Sequence, residues 1–114
     1  MIKNYFEIKN IKIDNDHSAV ISSYVSKECD FFRGHFDNYP ILPGIAQLEL
    51  IINLANHVFK LDRFSVSEIP QTKFKMAILP DSQITIKLIN NNNCISFEIL
   101  LNNEQASLGK INYG

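Results

Sequence analysis

The sequence has little of what would link it to nucleic acid, to a membrane or to a disulfide scaffold. Its formal net charge of -1 gives no basic field for nucleic acid. The two cysteines, Cys29 and Cys94, follow no metal-ligand spacing, and reduced thiols in a cytoplasm are the plainer interpretation. No apolar run approaches the roughly 20 residues that span a bilayer, and residues 1–10 lack the apolar stretch of a signal peptide. We therefore expect a soluble, unprocessed cytoplasmic protein with no membrane span and no nucleic-acid partner.

The sequence does contain enough apolar residues for a single packed core. Its 114 residues are too few for two domains with separate cores, and 46% of them are hydrophobic. No repeat or linker divides the chain. We therefore expect residues 1–114 to form one domain.

Hydrophobic periodicity predicts strands on both sides of one long helix. Residues 18–25 favour a strand, and a less regular strand is predicted over residues 5–13. Apolar residues fall at helical spacing from Pro43 to about residue 60, and proline suits a first helical turn. Further strands are predicted over residues 64–77, 83–89, 95–101 and 106–111, the last three as an antiparallel meander. This is an α+β pattern in which a single antiparallel sheet can wrap the helix.

The predicted helix carries apolar side chains around most of its circumference. Its polar side chains share one narrow strip, and we therefore expect it to be buried on nearly all sides. The apolar stripe consists of Ile45, Leu48, Ile52, Ala55 and Phe59, and the polar strip of Glu49, Asn53, Asn56 and Lys60.

The most informative segment is residues 31–49, which read FFRGHFDNYPILPGIAQLE. Taken alone, a loop histidine such as His35 or a glutamate on a polar strip such as Glu49 would be interpreted as solvent-exposed. Both occur here with Pro40, Pro43 and Gly44 between them. At this spacing, the two residues predict a functional pair.

This segment resembles the active-site segment of the FabA/FabZ-type 3-hydroxyacyl-[acyl-carrier-protein] dehydratases. In that family a Gly-His-Phe loop and an apolar-Pro-Gly step precede an acidic residue on the central helix. Gly34, His35 and Glu49 match this pattern in residue type and spacing. Residues 41–48 look most like the small, ApeI-like dehydratases associated with aryl-polyene synthesis. The resemblance implies a hot-dog fold, in which an antiparallel sheet wraps one long helix and two subunits pair to build the active sites.

Two positions of the segment differ from the family pattern. Asp37-Asn38 replaces the Pro-Gly that usually follows His-Phe, and a nearby carboxylate would favour the imidazolium form of His35 and weaken the base. Asn53 replaces the glutamine that is common one turn after the acidic residue, which keeps an amide but shortens its reach. Both changes would act on the rate and the pH optimum rather than on the assignment.

The resemblance implies a role for each residue of the site. His35 would accept the α-proton of the thioester, since an imidazole titrates near neutral pH. Glu49, from the helix of the other subunit, would protonate the leaving hydroxyl. The N–H of Gly44 would stabilise the negative charge on the thioester oxygen. The same pocket would be completed by Phe36, Pro43 and Asn53.

Two further sets of residues are weaker candidates. Phe32, Ile41, Leu42 and Phe74 would line an acyl tunnel, although core packing explains apolar residues equally well. Arg33, Lys73 and Lys75 would form a patch for an acidic acyl-carrier protein, since alternate residues of a strand point to one face. A solvated face explains the three cations equally well.

These observations predict a 3-hydroxyacyl-thioester dehydratase that needs no metal and no organic cofactor. The substrate would arrive on an acyl-carrier protein or on coenzyme A, and the homodimer could assemble further. One alternative is a thioesterase on the same fold, in which Glu49 activates water or attacks the carbonyl. Another is a non-catalytic acyl-binding or assembly module, since a fold alone does not determine function.

Overall fold

The computed structural model describes residues 6–15, 17–26, 42, 44–62 and 65–114. Within these residues, two strands precede one helix along the chain and four strands follow it. No helix among them is long and apolar enough to cross a bilayer. The elements are β1 (Phe6–Ile13), β2 (Ser18–Val25), α1 (Gly44–Phe59), β3 (Val66–Phe74), β4 (Ser82–Asn91), β5 (Cys94–Leu101) and β6 (Glu104–Tyr113).

The six strands form one antiparallel sheet in the order β1-β2-β4-β5-β6-β3. The α+β prediction and the meander of the last three strands are confirmed. The irregularity expected in the first strand is a register shift between Ile8 and Asn10. The pairing of two subunits, also implied by the resemblance, stays a prediction.

Two-residue asparagine turns join the strands of the meander. Asn92 and Asn93 have φ values of 52° and 65°, and Asn102 and Asn103 have values of 53° and 64°. Tight hairpins need a positive φ at both central residues, and asparagine tolerates that conformation better than most side chains. The turns are therefore short enough for β4, β5 and β6 to extend beyond their predicted ends.

The third strand is shorter than predicted and ends at Phe74 instead of residue 77. The N–H groups of Lys75 and Met76 both donate to the carbonyl of Ala106, at 2.8 and 3.0 Å. Two successive donors on one acceptor break the alternation of a sheet ladder. The chain therefore leaves the sheet here and turns toward the start of α1.

The core lies between one face of the sheet and one side of α1. Alternate residues of the central strands point inward, as Ile21, Ile86 and Ile99 show, each with no exposed surface. The buried side of the helix consists of Ala46, Gln47, Leu50, Ile51, Leu54 and Ala55.

The expectation that the helix is buried on nearly all sides is wrong for the single chain. Ile45 is 77% exposed, and Leu48, Glu49, Ile52 and Asn56 are only half-buried. The physical reason is that one sheet covers one side of a helix, while an all-round apolar sequence needs a second covering surface. We call the part that carries Ile45 and Glu49 the open side of α1. Ile52 and Asn56 lie at its margin, where Ile52 packs against the core and Asn56 accepts a hydrogen bond from the Tyr113 hydroxyl at 2.9 Å.

Candidate active site

The structure describes the helix side of the predicted site. The predicted base His35 lies outside the described residues, and so do Phe32, Arg33, Phe36, Ile41 and Pro43. Their roles therefore stay predictions.

Helix α1 begins at Gly44 and has no acidic residue in its first turn. The first N–H groups of a helix have no partner within it, and the aligned peptide dipoles give that end a partial positive charge. No carboxylate of the first turn offsets this charge. The start of α1 is therefore suited electrostatically to the developing negative charge of a substrate oxygen.

Phe74 lies directly against Gly44. A Cβ built on Gly44 would be 2.7 Å from both Cε2 and Cζ of the Phe74 ring, which is closer than real Cβ atoms approach. The ring remains 47% exposed. The structure therefore brings together two residues that the sequence analysis assigned separately, the predicted oxyanion donor and a predicted tunnel residue.

Glu49 and Asn53 lie one turn apart on α1, and both side chains are half-buried. Residues four apart on a helix are neighbours on its surface. Side chains in a helix also lean toward its N-terminus, so a carboxyl at position 49 is expected to lie over the turn that begins at Gly44. This arrangement places an acid, an amide and a helix start on neighbouring parts of one element.

Leu42 is a core residue, with 3% of its surface exposed. Its N–H donates to the carbonyl of Ile78 at 2.8 Å, and its carbonyl accepts from Nε2 of Gln47 at 3.2 Å. Both backbone polar groups of Leu42, just before the helix, are therefore held by hydrogen bonds. Gln47 was not among the predicted site residues, and its only signal in the sequence is a lone amide on the apolar part of the helix.

A hydrogen bond between Tyr24 and Asp81 fastens the β3–β4 connection to β2. The Tyr24 hydroxyl donates to Oδ1 of Asp81 at 2.8 Å, and the Asp81 N–H donates to the carbonyl of Val25 at 2.7 Å. The hydrogen bond to Asp81 raises the pKa of Tyr24 above its usual value. The two contacts hold this connection, which also contains Ile78, at the end of β2.

Lys73 lies in β3 and Lys75 lies just after its end, and both are exposed. Lys73 borders a groove of about 250 Å³ whose other charged lining residues are Glu98 and Lys110 and whose amides are Gln71 and Gln105. The Lys75 Nζ donates to Oε1 of Gln105 at 2.6 Å. Lys73 and Lys75 thus lie near one groove, and their role as a patch for a carrier protein stays a prediction.

Comparisons with known proteins identify a family for this chain. The model of the ApeI-like family, described as ApeI dehydratase, matches residues 10–110. A 3-hydroxyacyl-[acyl-carrier-protein] dehydratase FabZ of Streptococcus pyogenes is 27% identical over 82 residues, which cover 67% of this chain and 58% of the relative. The match thus spans less than two thirds of that relative's length.

Two solved structures share nearly the whole fold. The dehydratase heterocomplex ApeI:P from Xenorhabdus doucetiae contains a chain with a TM-score of 0.85 and 29% identity, covering 92% of this chain and 94% of that one. An uncharacterized protein from Erwinia carotovora has a TM-score of 0.75 and 26% identity, covering 96% and 95%. With its single described helix packed on a six-stranded antiparallel sheet, the chain has the hot-dog fold and belongs to the ApeI-like dehydratase family.

Proposed function

We propose that the chain is a 3-hydroxyacyl-thioester dehydratase that eliminates water to give a trans-2-enoyl thioester. The observation that carries the proposal is the placement of Gly44 and Glu49 on α1. They are five positions apart, which separates them by about 7.5 Å along the helix axis, and the lean of the Glu49 side chain shortens that distance. A short acyl thioester can therefore place its carbonyl oxygen at the helix start and its β-hydroxyl near the carboxyl.

The reaction needs a base, an acid and a place for negative charge. We assign to His35 the removal of the α-proton, whose electron pair moves toward the thioester carbonyl as charge builds on the oxygen. The Gly44 N–H would stabilise that charge, and loss of one such donor typically lowers the rate by about 10²- to 10³-fold. As the C–O bond at the β-carbon breaks, Glu49 would give its proton to the departing hydroxide, which leaves as water. Phe36, Pro43 and Asn53 would complete the walls around the reacting atoms.

We further propose that each site is shared between two subunits, with His35 from one and Glu49 from the other. The open side of α1 supports this, because Glu49 lies there beside an Ile45 that is 77% exposed. An apolar surface next to a half-buried acid is what a covering partner would bury. Strand β3 also lies at an edge of the sheet, so a second sheet can continue from it.

The covering partner would be a second copy of the chain, in a homodimer that can assemble further. A related structure is a dehydratase heterocomplex, so a different hot-dog subunit is the competing partner. Sedimentation of the purified chain distinguishes a second copy of the chain from a different subunit as the partner. A stable dimer of the chain alone supports the homodimer, and a monomer that dimerises only with another protein contradicts it.

The acyl group would arrive on an acyl-carrier protein or on coenzyme A. Exposed Lys73 and Lys75 support a carrier protein, because a lysine-bearing face complements an acidic partner. Arg33 would join this patch. Phe32, Ile41 and Phe74 would line the acyl tunnel, and the buried Leu42 would form its wall from the core side.

The activity is tested by incubating the protein with a 3-hydroxyacyl thioester and measuring enoyl absorbance and free thiol in parallel. Enoyl formation supports the dehydratase, whereas thiol release without enoyl formation indicates a thioesterase. His35→Ala and Glu49→Ala should each abolish turnover. His57→Ala and Glu104→Ala remove the same groups at exposed positions and serve as matched controls. A non-catalytic module would show no turnover in any of these proteins.

The sharing of sites between subunits is tested by mixing the two inactive variants. A mixed dimer has one site with both residues altered and one site with both intact. Random exchange of subunits should therefore restore about a quarter of the original activity. If His35 and Glu49 act within one subunit, every site in the mixture lacks one of them and no activity returns.

A further inference from the structure

Gln47 is a buried polar residue that the proposed reaction does not use. Only 3% of its surface is exposed. Its Nε2 donates to the Leu42 carbonyl at 3.2 Å, while its buried Oε1 has no hydrogen-bond partner in the part of the chain that the structure describes. A buried amide with an unpaired oxygen is less favourable than an apolar side chain of similar size. The one hydrogen bond of this side chain, to the Leu42 carbonyl, is therefore the contact through which Gln47 acts.

The contact that Gln47 makes lies just before the start of α1. Leu42 is held through its N–H by Ile78, through its carbonyl by Gln47, and through its side chain by the core. One residue, a proline, separates Leu42 from Gly44, and a proline ring restricts its own φ. Few free backbone angles therefore connect the Leu42 carbonyl to the Gly44 N–H.

We propose that Gln47 is a positioning residue that, through the Leu42 carbonyl, holds the Gly44 N–H in line with the thioester oxygen. The inference rests on the proposed function, which makes Gly44 the oxyanion donor. A donor that is aligned before the reaction needs no reorganisation as the charge develops. Gln47 does not touch the substrate, because it faces the sheet, on the side of α1 opposite Glu49.

Gln47→Met tests this role, since it removes the donor and keeps the size of the side chain. We expect kcat to fall by about 10-fold or more with KM changed less than about 2-fold. The melting temperature should change by only a few degrees, because the loss of the unpaired Oε1 offsets the loss of the donor to the Leu42 carbonyl. Gln83→Met makes the same change at an exposed position of β4 and should have no effect. An unchanged kcat, or a loss that follows a loss of folded protein, would overturn the proposal.

Gln47→Glu gives a second test through pH. A protonated carboxyl can donate to the Leu42 carbonyl in place of the amide, whereas a carboxylate cannot. The kcat of this variant, divided by that of the unaltered protein at the same pH, should therefore rise as the pH falls. The same ratio for Gln47→Met should stay flat. A flat ratio for both variants contradicts a role for the hydrogen bond.

A spectroscopic test does not depend on turnover. The chain has four glycines, so selective ¹⁵N-glycine labelling gives few amide signals, and that of Gly44 is identified by its loss in Gly44→Ala. In Gln47→Met the Gly44 signal should move or broaden while those of Gly109 and Gly114 stay in place. An unmoved Gly44 signal overturns the proposal even if the enzyme is active. If the unaltered protein forms no enoyl product, the proposed function fails, and the Gly44 signal still decides whether Gln47 sets the helix entry.

Discussion

The ring of Phe74 packs on the Cα of Gly44, at a distance that leaves no room for a Cβ. Gly44→Ala should therefore push the ring away from the helix start. Because the ring is 47% exposed, it can move, and we expect the free energy of unfolding to fall by only about 1 kcal/mol. Turnover should fall by about 10-fold or more, since the added methyl crowds the N–H assigned to the thioester oxygen.

The double variant Gly44→Ala/Phe74→Ala separates the two causes. If crowding by the ring displaces the helix start, the second substitution should recover part of the activity. Enoyl formation is measured on Gly44→Ala, on Phe74→Ala and on the double variant. The comparison distinguishes displacement of the helix start by the ring from a direct effect of the added methyl group. No recovery would place the defect in the methyl group itself.

Gly109→Ala should be far more damaging to stability. A Cβ there would lie 2.6 Å from the backbone carbonyl of Gln71 and 2.8 Å from the Phe97 ring. Gly109 pairs with both neighbouring strands, and a backbone oxygen in a ladder cannot swing aside. We expect a loss of about 3 kcal/mol, measured by urea unfolding. A midpoint equal to that of Gly44→Ala would contradict this ranking.

Ile45→Lys should weaken subunit association without unfolding the chain. The side chain is 77% exposed in the single chain, so a charge there costs little until a partner covers it. We expect the dimer dissociation constant to rise by about 10-fold or more, and activity to fall at low protein concentration. Analytical ultracentrifugation measures the effect. Ile89→Lys, at a 54% exposed residue of the outer sheet face, is the control and should dimerise normally.

Lys73→Glu combined with Lys75→Glu should impair carrier-bound substrates selectively. Reversing these two charges should raise KM for an acyl-carrier-protein substrate by about 10-fold at low salt, and less at high salt. KM for an uncharged N-acetylcysteamine thioester should not change. Lys87→Glu makes the same charge reversal at an exposed residue of β4 and is the control. Equal losses with both substrates would assign the lysines to folding or to the site itself.

The sequence predicted the elements whose signals are local. Strand β2 has the predicted bounds, because alternation from residue 18 to residue 25 depends on one strand alone. The end of β3 was not predicted correctly, since it depends on Ala106, which lies more than thirty residues further along the chain and accepts two hydrogen bonds.

The candidate site was predicted in part. Gly44 and Glu49 come from a motif whose spacing along one helix fixes their separation. The contact between Gly44 and Phe74 joins residues thirty positions apart, and no pattern in the sequence indicates it. Gln47 was missed because an amide among apolar residues has no interpretation until its acceptor, Leu42, is located.

The open side of α1 also has a consequence for stability if a second subunit covers it. The sheet of the same chain covers one side of this helix and leaves Ile45 77% exposed. If a second subunit completes it, folding and association share one equilibrium, and the melting temperature rises with protein concentration. In a dilute sample the chain would then unfold and lose activity together. The protein concentration would therefore set the active fraction.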